Sequence, residues 1–350
     1  MKVFTWNRIG LATLALGAML IVQAQGGPGG PGGPGGPGGG QRGPGMHMRG
    51  PEFEVIKKYL ELEQKARYSG VRYQEVMTPD GWLRGSENVL VDGARRRVEF
   101  NKDSDKYGEV IVDNGKQRMH YFAASNEIHT MPRVRDEFRR KIGNMGEKRQ
   151  APPGIKVITK DGGAIANRKT KLVAVMDDRG NAMQKMWFDP ASGVMLKREG
   201  YDFTGRRISL MEFRRINYDV KPSDADFTIR RAGAVIVTPQ ALLVRASKKV
   251  NFPALLLSDG SLSLESAMMR DFRGRTSMIS MYGSGQGRLS LMVVKGALSD
   301  DRLENAGRRG PGGPGAIHKW QYGEYSCVLM GPFDKSKLQT LARSLIVVRK

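Results

Sequence analysis

Four histidines and one cysteine are the first residues to test for chemistry, because imidazoles and thiolates bind metals and move protons near neutral pH. His47, His120, His129 and His318 show no metal-ligand spacing, no H-E-x-x-H and no cysteine partner set. Met46-His47-Met48 offers soft ligands that would suit Cu(I), but no second ligand cluster supports a site there, so it reads as linker. His120 and His129 flank an aromatic strand and read as satisfied structural residues. Cys327 lies in the run Ser326-Cys327-Val328-Leu329-Met330 and reads as a buried small hydrophobe, since a lone cysteine has no intrachain disulfide partner. Gly283-Ser284-Gly285-Gln286-Gly287 joins two strands, whereas a phosphate loop must open a helix. It also lacks the spacing of a nucleophile elbow. The chain therefore reads as a non-enzyme with no catalytic residues, no metal and no cofactor.

Charge is the stronger signal. The 350 residues carry a formal +22, which favours anionic partners: lipid headgroups, lipopolysaccharide phosphates, acidic proteins or nucleic acid. The basic residues cluster at Arg95-Arg96-Arg97, from Arg133 to Lys141, at Arg206-Arg207 and at Arg214-Arg215. Solvated surface is the ordinary fate of such residues. Arg133, Arg135, Arg139 and Arg140 are the candidate anion-binding set, because a helical segment can present several of them together. Nucleic acid is disfavoured as a partner by the scarcity of aromatics at stacking intervals and by the signs of export at the amino terminus.

Those signs are Lys2 and Arg8, an apolar run from Ile9 to Val22, and the small-x-small pattern Val22-Gln23-Ala24. Residues 1–24 read as a cleaved secretory signal, the apolar run being shorter than the roughly 20 residues that span a bilayer. No cysteine follows, which excludes a lipoprotein anchor at this site. A periplasmic or otherwise exported chain would lose Lys2 and Arg8 and carry +20. The Gly/Pro-rich tract within residues 25–51 is too short and too uniform for a collagen helix and reads as disordered spacer. The echo from Arg308 to Gly315 reads as a surface loop.

The elements that must position any site begin near Glu52. Phe53, Ile56 and Leu60, with Val55, Tyr59, Leu62 and Ala66 on an adjoining stripe, predict an amphipathic helix over 52–66. The period then changes to two. Strands are predicted at 68–77, 82–91, 94–100, 109–112, 116–122, 155–159 and 171–176, separated by turns such as Pro79-Asp80-Gly81, Asp92-Gly93 and Asp113-Asn114-Gly115. A basic helical segment is predicted from Arg133 to Met145. From Met183 to Tyr218 two turn clusters, Asp189–Gly193 and Asp202–Gly205, divide three apolar runs into an antiparallel meander. In its third run the apolar phase slips between Leu210 and Met211, predicting either a bulge or apolar cover on both faces.

After a polar boundary at 222–233, strands are predicted at 252–257, 262–268, 276–282, 288–294, 317–322 and 325–330. A closing helix follows, capped by Asp334, with Leu338, Leu341, Ala342 and Leu345 as its buried stripe.

The WFD-turn-G around Trp187–Gly193, the V-x-L-K-R run from Val194, the D-x-x-G turn at Asp202 and the M-E-F strand at Met211–Phe213 resemble the MucB/RseB family. Tyr68-Ser69-Gly70 opening the first strand and the Asp113-Asn114-Gly115 turn belong to the same resemblance. So do the Ser258-Asp259-Gly260 turn and the Gly331-Pro332-Phe333 step in the second half. The family's Ala-Gly-Arg run stands here as Ala166-Asn167-Arg168, a departure that puts any function tied to that glycine in doubt.

The resemblance implies an α+β chain: a LolA-like antiparallel half β-barrel with helices over 52–231, then a smaller α+β domain over 232–350 with an antiparallel sheet and a C-terminal helix. It implies a protein that binds an amphiphile (lipid, lipoprotein or lipopolysaccharide) and the periplasmic domain of an anti-sigma factor in envelope-stress signalling. The alternative is a LolA-like carrier of lipoproteins or lipids between membranes. Tyr73, Trp82, Trp187 and Phe213 are the candidate apolar cavity residues, and strand parity leaves open which of them face a cavity and which a packed interface.

Overall fold

The computed structural model describes residues 51–78, 81–132, 155–272, 274–284, 287–298 and 316–348. The predicted signal, most of the Gly/Pro tract, Met46-His47-Met48, the basic helix from Arg133 and the loop at 308–315 lie outside the described residues. The described chain falls into two compact units, residues 51–86 with 155–219, and residues 87–132 with 220–348.

The fold is α+β and mostly antiparallel. An open twelve-stranded sheet has the order β12-β6-β5-β4-β3-β2-β1-β11-β10-β9-β8-β7. Its strands are β1 (Arg67–Thr78), β2 (Gly81–Asp92), β3 (Arg95–Phe100), β4 (Val110–Asp113), β5 (Gln117–Phe122), β6 (Glu127–Pro132), β7 (Lys156–Ile165), β8 (Arg168–Met176), β9 (Ala182–Phe188), β10 (Met195–Tyr201), β11 (Arg207–Asn217) and β12 (Val235–Val237). β12 pairs with β6 in parallel.

In the first unit, the helix α1 (Pro51–Glu63) lies on one face of the sheet. Ile56 and Tyr59 are buried with Val157, Val173, Val175, Met186 and Phe188, and Tyr59 stacks on Phe188 with ring centroids 4.8 Å apart. Each such buried side chain contributes about 1.5–3 kcal/mol. The helix stops three residues before the predicted end, so Ala66 falls outside it.

Gly193 explains why the helix can sit there. It closes the Asp189 turn with φ +72°, and a Cβ on it would lie 2.3 Å from the Tyr59 carbonyl oxygen and 2.5 Å from Leu62 Cβ. Only glycine satisfies both the left-handed backbone and the close approach. Asp189 holds the rest of the turn, accepting from the Ala191 amide at 2.9 Å and the Tyr218 hydroxyl at 2.8 Å. In the β7–β8 turn, Ala166 and Asn167 have φ +48° and +61°. Asparagine tolerates that region better than most residues, which suits Asn167 to this tight turn.

At the predicted phase slip on β11 both neighbours, Leu210 and Met211, are buried although they lie on opposite faces. Bulges do occur in this strand, but elsewhere, where the pairing skips Ile208 against β10 and Arg214 against β1.

The second unit contains, besides β3–β6 and β12, a five-stranded sheet of order β14-β15-β16-β18-β17 and a two-stranded pair of β13 (Leu255–Leu257) with β19 (Leu345–Val347). The five strands are β14 (Ser263–Phe272), β15 (Arg275–Ser284), β16 (Gly287–Lys295), β17 (Ala316–Tyr322) and β18 (Tyr325–Gly331). Two helices pack with them, α2 (Pro239–Val250) and α3 (Lys335–Arg343). Leu243 of α2 and Leu338 and Leu341 of α3 share a core with Leu255, Met278, Tyr282, Leu291, Cys327 and Leu329.

The α3 cap is the predicted one, with Asp334 accepting from the Lys337 amide at 2.7 Å. Leu345, expected on the buried stripe of α3, instead begins β19 and pairs with Leu257. The helix has already ended at Ser344, whose amide turns back to Leu341. Helix α2 is not among the predicted elements, although Thr238 accepts from the Ala241 amide at 3.2 Å and Pro239 takes the first helical position.

Candidate binding faces of the sheet

Register assigns the aromatic candidates to faces. Trp187 is opposite Lys197, Lys197 opposite Glu212, and Glu212 opposite Tyr73, so Tyr73 and Trp187 share one face across β9, β10, β11 and β1. Phe213 is opposite Arg72 on the other face. Parity leaves the assignment open; the structure separates these three residues rather than gathering them. Trp82, on β2, is 37% exposed.

The face of Tyr73 and Trp187 is a lattice of opposite charges. Lys197 Nζ lies 3.2 Å from Glu199 and 3.3 Å from Glu212, and Arg207 lies 3.3 Å from Glu75. The Tyr201 hydroxyl donates to Glu199. Cations cover the rings: Lys197 is 5.0 Å from the Trp187 centroid, Lys185 5.2 Å from Tyr201, and Arg214 5.2 Å from Tyr73. Burial tends to raise the Glu199 carboxyl, but hydrogen bonds from Tyr201 and Lys197 outweigh it and hold it below the usual range.

The opposite face is the one that α1 covers in part. Arg198 is opposite both Met186 and Met211, and Met186 is opposite Val173, so this surface runs continuously into the helix contact. Phe213 is 2% exposed and meets the fully buried Tyr68 edge-on at 5.9 Å. Two guanidiniums stand among these apolar groups. Arg72 lies 6.0 Å from the Phe213 ring centroid, and Arg198 has its pKa pulled down to about 10, by burial first and then by the neighbouring charge of Arg72. Neither residue is singled out by the sequence reading. The signal is there, because Arg198 has the same strand parity as the apolar Leu196.

The other basic clusters serve the fold. Arg95 pairs with Asp92 and with Asp224 (2.5 Å) and covers the Phe227 ring at 4.4 Å. Arg97 donates to the carbonyls of Asp226 and Thr228 at 3.0 and 2.7 Å. Together they clamp the short 3-10 turn Asp224–Phe227 onto β3. Arg206 turns back to Asp202. Arg133, Arg135, Arg139 and Arg140 lie outside the described residues.

In the second unit His120 and His129 are cross-strand neighbours. Each Nε2 is 2.9 Å from a glutamate, Glu109 and Glu127 respectively, and the Phe122 ring lies 3.9 and 4.5 Å from the two imidazoles. Burial pushes the His120 pKa down, against the pull of Glu109, so the imidazole is neutral at pH 7. Among the described residues, no group of three or more His, Cys, Asp or Glu side chains is placed to hold a metal ion. The Cys327 thiol is buried, which pushes its pKa up to about 12. A cavity of about 260 Å³ lies beside the β3–β4 loop, lined by Glu99, Phe100, Lys102, Tyr107, Glu109 and Arg231; its rim is polar and charged.

The sequence matches no protein-family model and no curated protein. Among solved structures, the chain is similar to that of the Pseudomonas aeruginosa MucA/MucB complex, with 13% identity and a TM-score of 0.38 over 85% of this chain and 100% of that one. It is also similar to an uncharacterized conserved protein from Thermus thermophilus, with 14% identity and a TM-score of 0.38 over 53% of this chain and 98% of that one. A third is the LolA superfamily protein NE2245 from Nitrosomonas europaea, with 13% identity and a TM-score of 0.25 over 50% of this chain and 97% of that one.

Proposed function

We propose that this chain is an exported, non-enzymatic envelope binding protein of the MucB/RseB kind. It holds an anionic amphiphile, a lipid, lipoprotein or lipopolysaccharide, and contacts the periplasmic part of an anti-sigma factor. The observation that carries the reading is the helix-side face of the first unit, where Arg72 and Arg198 stand beside the buried Met186, Met211 and Phe213. A phosphate or carboxylate headgroup is matched by the first kind of side chain and an acyl chain by the second. The sequence motifs support it: the WFD-turn-G that resembles the family is the segment that seats α1 against this face. The four-arginine segment Arg133, Arg135, Arg139 and Arg140 would add a second contact for headgroups.

Flotation with vesicles containing anionic lipid, from low to high salt, tests the ligand. Headgroup binding weakens steeply, because exposed charges are screened beyond roughly 8 Å at physiological ionic strength. Charge reversal at the four arginines weakens it further. Acyl-chain burial is unscreened and survives high salt. A chain that floats in neither condition contradicts the amphiphile reading.

A tagged chain should capture a membrane-bound anti-sigma factor. Capture of acylated proteins alone would favour the carrier function, although a second folded region argues for the regulator.

A further inference from the structure

Among the described residues, Glu265 Oε1 is a buried side-chain oxygen with no hydrogen-bond partner. A bulge puts it there. Leu264 is opposite Tyr282 and Ser266 opposite Met281, so Glu265 is the extra residue of β14. On the adjacent strand Gly283 leaves the room, since a Cβ at that position would come within 2.2 Å of Glu265 Oε1. Directly opposite Gly283 on β16 is Arg288, whose Nε lies 3.1 Å from Glu265 Oε2. The ion pair therefore straddles the middle strand β15 over a residue with no side chain.

The pair is lopsided. The Glu265 side chain is 9% exposed and that of Arg288 is 45% exposed, so the carboxylate bears the desolvation while its counter-ion is half in water. One carboxylate oxygen is compensated and the other is not. Burial raises the Glu265 pKa, and Arg288 offsets this only in part. Arg288 in turn is repelled by Arg118 of β5, which also feels Arg96 and Asp113. The other elements packed on β14 are α2 and β6. Their charged groups Arg245, Glu127 and His129 are bonded to one another, and Lys248 and Lys249 are exposed.

We propose that Glu265 is an acid-responsive element: its buried carboxyl takes up a proton from solvent on mild acidification and releases Arg288 at the end of the β15–β16 hairpin. The proton converts the carboxylate to the neutral acid, which suits the buried site, and the freed guanidinium stays on the surface near Arg118. The folded state holds this proton more tightly than the unfolded chain. Stability from this group is therefore present at acid pH and lost as pH rises from the ordinary 4.5 through the folded value.

Carboxyl NMR titration of the full chain reads Glu265 directly, alongside thermal unfolding against pH. The expected result is titration above 4.5, with the Arg288 Nε–H exchanging faster as the carboxyl protonates. Glu265→Gln should unfold at a higher temperature than the parent at pH 7, with the gap closing towards pH 4.5. Arg288→Gln should shift the Glu265 titration further upward, because the partner that offsets its burial is gone. Titration of Glu265 at or below 4.5, or an Arg288 exchange rate that ignores it, overturns the proposal; should Glu265→Gln fail to fold, the titration of the parent chain still decides.

Discussion

The two faces of the β1-β11-β10-β9 segment are built from alternate residues of the same strands, yet they solve opposite problems. On one, Lys197, Arg207, Glu75, Glu199 and Glu212 neutralise one another and lay cations over Tyr73, Trp187 and Tyr201. On the other, Phe213, Met186 and Met211 are packed away, with the guanidiniums of Arg72 and Arg198 beside them. A charge-balanced surface is complete in water. Net charge alone would never have distinguished the two, because arginine and lysine occur on both.

The comparison predicts unequal costs of truncation, checked by denaturant unfolding. Phe213→Ala should cost about 3–5 kcal/mol, the value for a buried aromatic ring. Trp187→Ala, on the ion-paired face, should cost well below that; equal losses would break the distinction between the faces. Gly193→Ala comes next at about 2–4 kcal/mol, combining a left-handed backbone with a clash against α1. Faster hydrogen exchange confined to α1 and the Asp189 turn would show that the glycine acts through the helix seat.

Smaller effects sharpen the other face. Glu199 has a depressed pKa, so its contribution is present above the ordinary 4.5 and lost as pH falls through the folded value. Glu199→Gln should therefore lower the unfolding temperature at pH 7, with the difference from the parent chain closing as pH falls below 4.5. Lys197→Met should cost about 0.5 kcal/mol or less, and the loss should shrink further in high salt.

Much of the fold is legible because turns are local chemistry. Asp92-Gly93, Asp113-Asn114-Gly115 and Asp202–Gly205 announce themselves, and the strands between them follow. Helix α2 hides behind a Thr-Pro start that sequence does encode, and β6 escapes because its six residues carry little apolar alternation. The candidate site is less legible for a different reason. Parity says that Tyr73 and Arg72 face opposite ways, but the face that α1 covers is decided by pairing between β1 and β11, about 140 residues apart. Arg95 and Arg97, which read from sequence as solvated surface, instead hold partners from Asp224 to Thr228 that are equally remote.

That long pairing also sets a timetable. The first strand of the large sheet is bonded along one edge to the eleventh, Ser69 against Asn217, so in a chain emerging amino end first β1 waits with that edge bare until most of its unit has been delivered. Contacts of such sequence separation form slowly, and a waiting apolar strand edge is what aggregates or recruits a holding chaperone. The half-finished chain, with Tyr68 not yet seated against Phe213, is thus the species most in need of protection, and its lifetime is governed by the rate at which the meander arrives.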